Sequence, residues 1–237
     1  QPLKSGHRAG SDALLLAAAR PAGASGIVAD LGAGAGVAGL AAITMNEGLE
    51  AVLVEIDPVM ASCARQTLEL PVNSGLAGRA QVIEADIRLT GARRRQTGLA
   101  DAAYDFVIAN PPYYSQDERP SPDERRKLAH VMEEGGLEAW MRTAAAILKP
   151  RGVAFFVWRP QQLNELLEAA KGRFGGLQIL PLHARGDAPA GRIIVRATRG
   201  SRAPLVLLPG IVLHEADGKP TQTAQLLLNG KARLNWA

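Results

Sequence analysis

Asn110, Pro111, Pro112 and Tyr113 stand together in "IANPPYYS" (108–115), and their types do not suit an ordinary loop. The preceding "YDFVIA" is rich in aromatic and β-branched residues and predicts a strand. Two prolines end the ladder there, because neither has an N–H to donate. A plain turn leaves unexplained why an amide side chain precedes two rigid rings and an aromatic one. Three carboxylates raise a related question. Asp30 precedes Gly32, Gly34 and Gly36 in "DLGAGAGVAGL" (30–40). The glycines permit a tight turn and let a ligand approach the backbone, and Asp30 could hold a cationic or amine-bearing group. Glu55 lies 25 residues beyond Asp30, where a carboxylate can accept both hydroxyls of a ribose. Asp86, in "EADIR", could accept a hydrogen from an adenine amino group, with Ile56 and Ile87 as apolar plates around the ring. Gly34, Gly36 and Gly39 also spell the dinucleotide pattern G-x-G-x-x-G. Asp30 weighs against that reading, since it would repel a pyrophosphate; Glu55 does not discriminate, because NAD enzymes place an acid there too.

The elements that must position these residues alternate. Strands are predicted at 26–32, 50–57, 80–87, 104–110 and 152–158. Helical patterns fall at 11–20, opened by a capping Ser11 or Asp12, and at 36–46, 58–70, 137–148 and 161–172. The 88–103 stretch reads as a basic loop or short helix. Such alternation implies a parallel, doubly wound sheet, whose ligands gather beyond the carboxyl ends of the strands. The acids, the glycines and Asn110 all fall there. Two further strands, 177–184 and 191–200, are joined only by "RGDAPA", a link so short that they must be antiparallel. The expected fold is therefore α/β: a Rossmann-like, doubly wound, seven-stranded sheet, mostly parallel, with an antiparallel C-terminal hairpin. Residues 1–200 are expected to form one domain, with 201–237 as an extension packed on it. That extension predicts short strands in "PLVLLPGIVLHEADG" and a weak final helix.

Composition narrows the function classes. The chain has 237 residues, 47% of them hydrophobic but only 4% aromatic, so Ala, Leu and Val must fill the core. No stretch approaches the ~20 apolar residues of a membrane span, and "QPLKSGHRAGSD" lacks the apolar centre of a signal peptide. Cys63 is the one cysteine, which rules out an intramolecular disulfide and suggests a reducing cytoplasm. A net charge of +4 leans towards an acidic partner such as nucleic acid. The four histidines are scattered, and no metal-ligand spacing occurs. Trp140 and Trp158 are expected to pack the core. Arg93, Arg94, Arg95, Arg125, Arg126 and Lys127 could track phosphates. The 116–127 stretch balances four acids against four bases and reads as a loop over the target pocket.

"DLGAGAG", "VEID", "EADIR" and "NPPYY", in this order, resemble motifs I to IV of class I S-adenosylmethionine-dependent methyltransferases. "GHRAGSDALLLAA" resembles the N-terminal motif of the bacterial family that N6-methylates an anticodon-loop adenine in valine tRNA, often labelled predicted O-methyltransferases. "LPLHARGDAPAGRIIVRATRG" and "IVLHEADGKPT" are similar to that family as well. The resemblance implies S-adenosylmethionine as cofactor and S-adenosylhomocysteine as product. It assigns Asp30, Gly32, Ala33, Gly34, Gly36, Glu55, Ile56, Asp86, Ile87 and Asn110 to cofactor binding. Asn110, Pro111, Pro112 and Tyr113 become the catalytic motif, and Lys4, Arg8, Tyr113 and Tyr114 the substrate contacts. In this reading Asn110 Oδ1 and the Pro111 carbonyl accept the two hydrogens of a planar amine, Pro111 and Pro112 hold them fixed, and Tyr113 stacks on the flipped base. Transfer from a sulfonium neutralises charge and needs no strong base.

Asn-Pro-Pro-Tyr does not specify which planar nitrogen is methylated. A glutamine methyltransferase acting on release factors uses a similar motif, although such enzymes carry a helical domain ahead of the glycine turn and here 29 residues precede Asp30. A small-molecule O-methyltransferase would need a base or a metal site. A nicotinamide oxidoreductase, or a cofactor-binding scaffold without catalysis, has no use for Asn110–Tyr113. RNA, and the tRNA anticodon loop in particular, is the favoured partner; the oligomeric state is open.

Overall fold

A computed structural model of the chain describes residues 9–111 and 136–237. The aliphatic runs become strands β1 (Gly26–Leu31), β2 (Leu49–Glu55), β3 (Ala80–Glu84), β4 (Tyr104–Ala109), β5 (Leu148–Trp158), β6 (Phe174–His183) and β7 (Ala190–Arg199). They share one sheet in the order β3-β2-β1-β4-β5-β7-β6. Strands β1 to β5 pair in parallel, and β7 runs antiparallel between β5 and β6. Two short strands from the tail, β8 (Val206–Leu207) and β9 (Ile211–Val212), add in parallel to β6, so among the described residues the sheet has nine strands where seven were expected.

Alternation along the strands builds a core on each face. Ala29, Leu31, Val107, Ala109, Phe156 and Trp158 pack on α6 (Gly136–Ile147) and α7 (Leu163–Ala170), which supply Trp140, Met141, Ile147 and Leu166. Val28, Ile108, Phe155 and Val157 face the other way. They meet Leu15 and Leu16 of α1 (Ala9–Ala18), Leu40 and Ile43 of α2 (Val37–Thr44) and Ala64 of α3 (Pro58–Glu69). The chain order reverses between β1 and β4, which opens a crevice at their carboxyl ends.

Some boundaries differ from expectation for local reasons. Helix α1 is already helical at Ala9, so neither Ser11 nor Asp12 caps it; Asp12 instead pairs with Arg192 at 3.3 Å. Strand β3 stops at Glu84 because Asp86 starts a turn, its Oδ1 accepting the Arg88 N–H and its carbonyl the Leu89 N–H. The 88–103 stretch contains a short helix, α5 (Gly91–Gln96), and α4 (Ser74–Ala77) precedes β3. Strand β5 starts four residues early, at Leu148, across a register shift against Tyr104 and Phe106. Asp57 caps α3 by accepting the Val59 N–H, with Pro58 in the first turn.

After β9 the chain forms α8 (Gln222–Leu228) and then lies against α1. The Leu234 N–H donates to Ala18 O at 2.9 Å, and Trp236 Nε1 to Ala19 O at 2.5 Å. Among the described residues, no helix is long and apolar enough to cross a membrane, and no group of three His, Cys, Asp or Glu could hold a metal ion.

Candidate active site

Leu31 and Ala109 are register partners at the ends of β1 and β4, so Gly32 and Asn110 are the next residues on either side of the crevice. Beside them, Leu31 pairs with Val54 and Glu55 with Glu84. Parallel pairing thus brings the glycine turn, Glu55, the Asp86 loop and Asn110 to one edge of the sheet. Gly32 has φ +64°, and a Cβ there would stand 2.5 Å from Trp140 Cη2. Only glycine meets both demands. Gly34 has φ +56°, and a Cβ on it would find only Met60 Cε, at 3.6 Å. That turn is open on its outer side, where a ligand can lie against bare backbone. Ala33 N–H continues the ladder to Val54 O at 3.0 Å, and Gly36, with φ +87°, precedes α2.

Asp30 sits beneath this turn, 2% exposed, with Oδ2 accepting the Gly39 N–H at 2.7 Å. Burial pushes its carboxyl up to about 7; the Gly39 hydrogen bond opposes the rise, Glu55 adds to it and Arg20 opposes it. Gly39 is required by packing, since a Cβ there would meet Leu53 Cδ2 at 2.3 Å. The first turn of α2 therefore already serves an acid, which disfavours a pyrophosphate at that helix end.

Glu55 is equally engaged. Oε2 accepts Gly34 N–H at 2.7 Å, and Oε1 accepts the N–H groups of Ile56 and Asp57 at 2.8 Å each. An ionised carboxylate offers about four lone-pair sites, so one remains on Oε2 for a ribose hydroxyl. Holding both hydroxyls requires a backbone donor to give way. Asp86 is gripped by Arg88: the backbone N–H donates to Oδ1 at 2.8 Å, Nε lies 3.0 and 2.9 Å from the two oxygens, and Nη2 lies 2.8 Å from Oδ2. Burial raises the Asp86 carboxyl, but these contacts outweigh it and hold the group below the usual range. An adenine amino group reaches this carboxylate only if Arg88 yields. Ile56 is 49% exposed beside it, available to cover a ring, whereas Ile87 is partly buried against the core.

Asn110 differs from all of these. Its Oδ1 is shut off from solvent and has no hydrogen-bond partner among the described residues, a state that costs about 1–3 kcal/mol unless a donor is supplied. Pro111, which follows, is buried. Lys4, Arg8, Pro112, Tyr113, Tyr114, Arg125, Arg126 and Lys127 lie outside the described residues.

Other basic residues are placed differently from expectation. Arg94 is buried and ion-paired with Asp101, which also takes Arg95 at 2.9 Å. These two secure α5 to its following loop, and Arg94 is not available to a phosphate. In the β6–β7 hairpin, Arg192 lies at the crevice end, opposite Leu182. Arg199 lies at the far end, bonded to Leu148 O. A recess of about 330 Å³, lined by Ala24, Met45, Gly48 and Arg233 among others, also sits at the amino ends of β1 and β2. It is remote from Gly32 and Asn110 and belongs to neither.

Sequence reasoning missed three contributors on α6: Trp140 against Gly32, and Arg142 and Thr143, which donate to Arg88 O and Ile87 O. In the sequence they read as an amphipathic helix. The residues described fit S-adenosylmethionine: bare backbone at Gly34, a free Glu55 lone pair for a ribose hydroxyl and exposed Ile56 beside the Asp86 loop. Asp30, buried and bonded to Gly39, holds the glycine turn in place; it does not meet a cationic end directly, the role its place in the sequence suggests.

Comparison with known proteins places the chain by fold and family. A solved structure from Agrobacterium tumefaciens, described as a predicted O-methyltransferase, is 36% identical with a TM-score of 0.81, covering 94% of this chain and 97% of that one. A tRNA1(Val) (adenine(37)-N6)-methyltransferase of Haemophilus influenzae (strain 86-028NP) is 28% identical over 217 residues, 91% of this chain and 87% of the relative. A class I methyltransferase fold from Listeria monocytogenes, 17% identical, superposes with a TM-score of 0.59 over 96% of this chain and 73% of that one. The model of the methyltransferase small domain matches residues 6–180. A match over well more than half the chain, on this fold, makes the protein a member of the methyltransferase small domain family, with S-adenosylmethionine as its cofactor.

Proposed function

We propose that this methyltransferase acts on the exocyclic N6 amine of an adenine in tRNA. The observation that carries the reading is the buried Oδ1 of Asn110 at the end of β4, which has no partner among the described residues. An adenine amine has its lone pair spread into the ring and is a poor nucleophile. It has two hydrogens to give, and two acceptors fixed in place favour a pyramidal nitrogen whose lone pair is directed at the electrophile. Asn110 Oδ1 is one acceptor, and the carbonyl of Pro111 is assigned as the other. The bound cofactor supplies an electrophilic methyl group on a sulfonium. The surrounding residues hold the two reactants in line, which is the main source of rate enhancement when no strong base is required. An alcohol acceptor carries a single hydrogen and has no use for paired acceptors.

Several relatives at 26–28% identity, from Haemophilus influenzae, Bacteroides fragilis and Serratia proteamaculans among others, are named tRNA1(Val) (adenine(37)-N6)-methyltransferases. Their names support an RNA acceptor. An anticodon-loop adenine is already unpaired, so its extrusion avoids much of the few kcal/mol needed to flip a duplex base. Such a substrate, with the lone Cys63, also favours the cytoplasm. The test is incubation with labelled cofactor and total tRNA, followed by nucleoside analysis. N6-methyladenosine is the expected product. Label in a release-factor glutamine, with none in RNA, would overturn the reading.

A further inference from the structure

Helix α6 reaches the cofactor crevice at two places that the strand-end motifs do not explain. Trp140 is 4% exposed, and its Cη2 stands 2.5 Å from where a Gly32 side chain would begin. The indole edge is thus pressed against the glycine turn. One turn later the fully buried Thr143 donates from Oγ1 to Ile87 O at 2.5 Å, and Arg142 Nη2 donates to Arg88 O at 3.2 Å. Trp140 and Thr143 are spaced i, i+3 and lie on one face.

A threonine within a helix commonly turns its hydroxyl back onto its own preceding turn. Here the hydroxyl reaches a loop 56 residues away in the chain. Glu138 braces the arrangement by binding Arg142 and Arg173 at 2.5 Å each. Met141, Ala144 and Ile147 bury the rest of the helix, so it cannot shift without disturbing the core. The loop held by Thr143 and Arg142 is the one in which Arg88 grips Asp86. The direction of the Asp86 carboxylate is therefore set from α6.

We propose that α6 is the positioning element of the cofactor site: Trp140 fixes the height of the Gly32 turn, while Thr143 and Arg142 suspend the Asp86–Arg88 loop at the distance a bound nucleoside needs. Trp140, Arg142 and Thr143 are positioning residues that act through Gly32 and Asp86. The proposal rests on the reading of those two loops as the cofactor site, with the amino-acid half of the ligand over Gly32 and the adenine beside Asp86.

Calorimetry with S-adenosylhomocysteine, and with 5′-methylthioadenosine, which lacks the amino-acid half, separates the two. The proteins are wild type, Thr143→Val, Thr143→Ser and Trp140→Phe, with melting temperatures of the unliganded proteins alongside. Loss of one buried hydrogen bond should weaken both ligands by about tenfold in Thr143→Val, and Thr143→Ser should restore them. Trp140→Phe should weaken S-adenosylhomocysteine more than 5′-methylthioadenosine, because only the former extends over Gly32. It should also relieve part of the clash in a Gly32→Ala background. A merely structural Trp140 predicts equal losses for both ligands in Trp140→Phe, and a merely structural Thr143 predicts a lower melting temperature in Thr143→Val with both affinities within about twofold of wild type. Either outcome overturns the proposal. Absence of S-adenosylhomocysteine binding in the wild type overturns the cofactor reading itself, and the proposal with it.

Discussion

The two sides of the crevice are prepared differently. On the β1–β2 side the carboxylates are engaged by the protein itself: Asp30 by Gly39, and Glu55 by Gly34, Ile56 and Asp57. On the β4 side Asn110 Oδ1 has no partner among the described residues. Internal hydrogen bonds hold a shape before any ligand arrives, so the first side is a rigid receptor. An unsatisfied acceptor shut off from water is a standing penalty that only an incoming donor removes. Under the proposed function, cofactor binding and recognition of the acceptor amine would fall to separate groups, so that each could be disturbed without the other.

The largest expected effect lies on the engaged side. The Asp30 carboxyl is raised from 3.8 to about 7, so the folded protein keeps this proton where the unfolded chain has released it. Asp30 therefore erodes stability as pH rises from about 4 to about 7, and the penalty is constant above that, at most about 4 kcal/mol. Asp30→Asn, which still offers an oxygen to Gly39, should remove this contribution, and urea melts between pH 4.5 and 8 check it. An unchanged pH profile would mean that the Asp30 charge is solvated and the rigid-receptor picture wrong.

Next is the unengaged side. Asn110→Ala should lower kcat by about 10²-fold or more while cofactor affinity stays nearly intact, because the lost contact strengthens only in the transition state. Single-turnover kinetics with calorimetry make the separation. Equal loss of affinity and rate would merge the two sides into one. Glu55→Ala should do the converse, weakening S-adenosylmethionine by about 1.5–3 kcal/mol, the scale of hydrogen bonds to a charged group. Titration calorimetry reads it directly.

The smallest effect tests the rim. If RNA phosphates reach the crevice end of β7, Arg192→Gln should flatten the salt dependence of tRNA binding by roughly 0.7–0.9 per lost contact and leave cofactor affinity unchanged. Filter binding at several salt concentrations measures the slope. A slope that does not move would take Arg192 out of the RNA surface and leave its ion pair with Asp12 as a structural link of about 0–1 kcal/mol.

Much of the fold was legible because its signals are local. Alternating β-branched runs and glycines past a strand each act within a few residues. Strand–helix alternation leaves few ways to wind a sheet. The tail strands β8 and β9, expected as short strands, carry only two residues each; that they pair with β6 and widen its sheet was not legible, because the partner edge comes from elsewhere in the chain. The ends of β3 and α1 were misplaced where a side chain, Asp86 or Asp12, took a partner that the pattern could not show.

At the site, residue types and spacing alone determined that three acids, a glycine turn and an amide would gather at one edge of a parallel sheet. That follows from periodicity and connection rules, which are properties of the chain. Only the tertiary structure decided what each group has left to offer. Asp30 is buried under α2, Arg88 occupies Asp86, Asn110 Oδ1 has no partner among the described residues, and α6 braces both loops. Hydrogen-bond partners and burial depend on residues brought together from distant parts of the chain, as Thr143 is to Ile87. No spacing in the sequence encodes which lone pair remains.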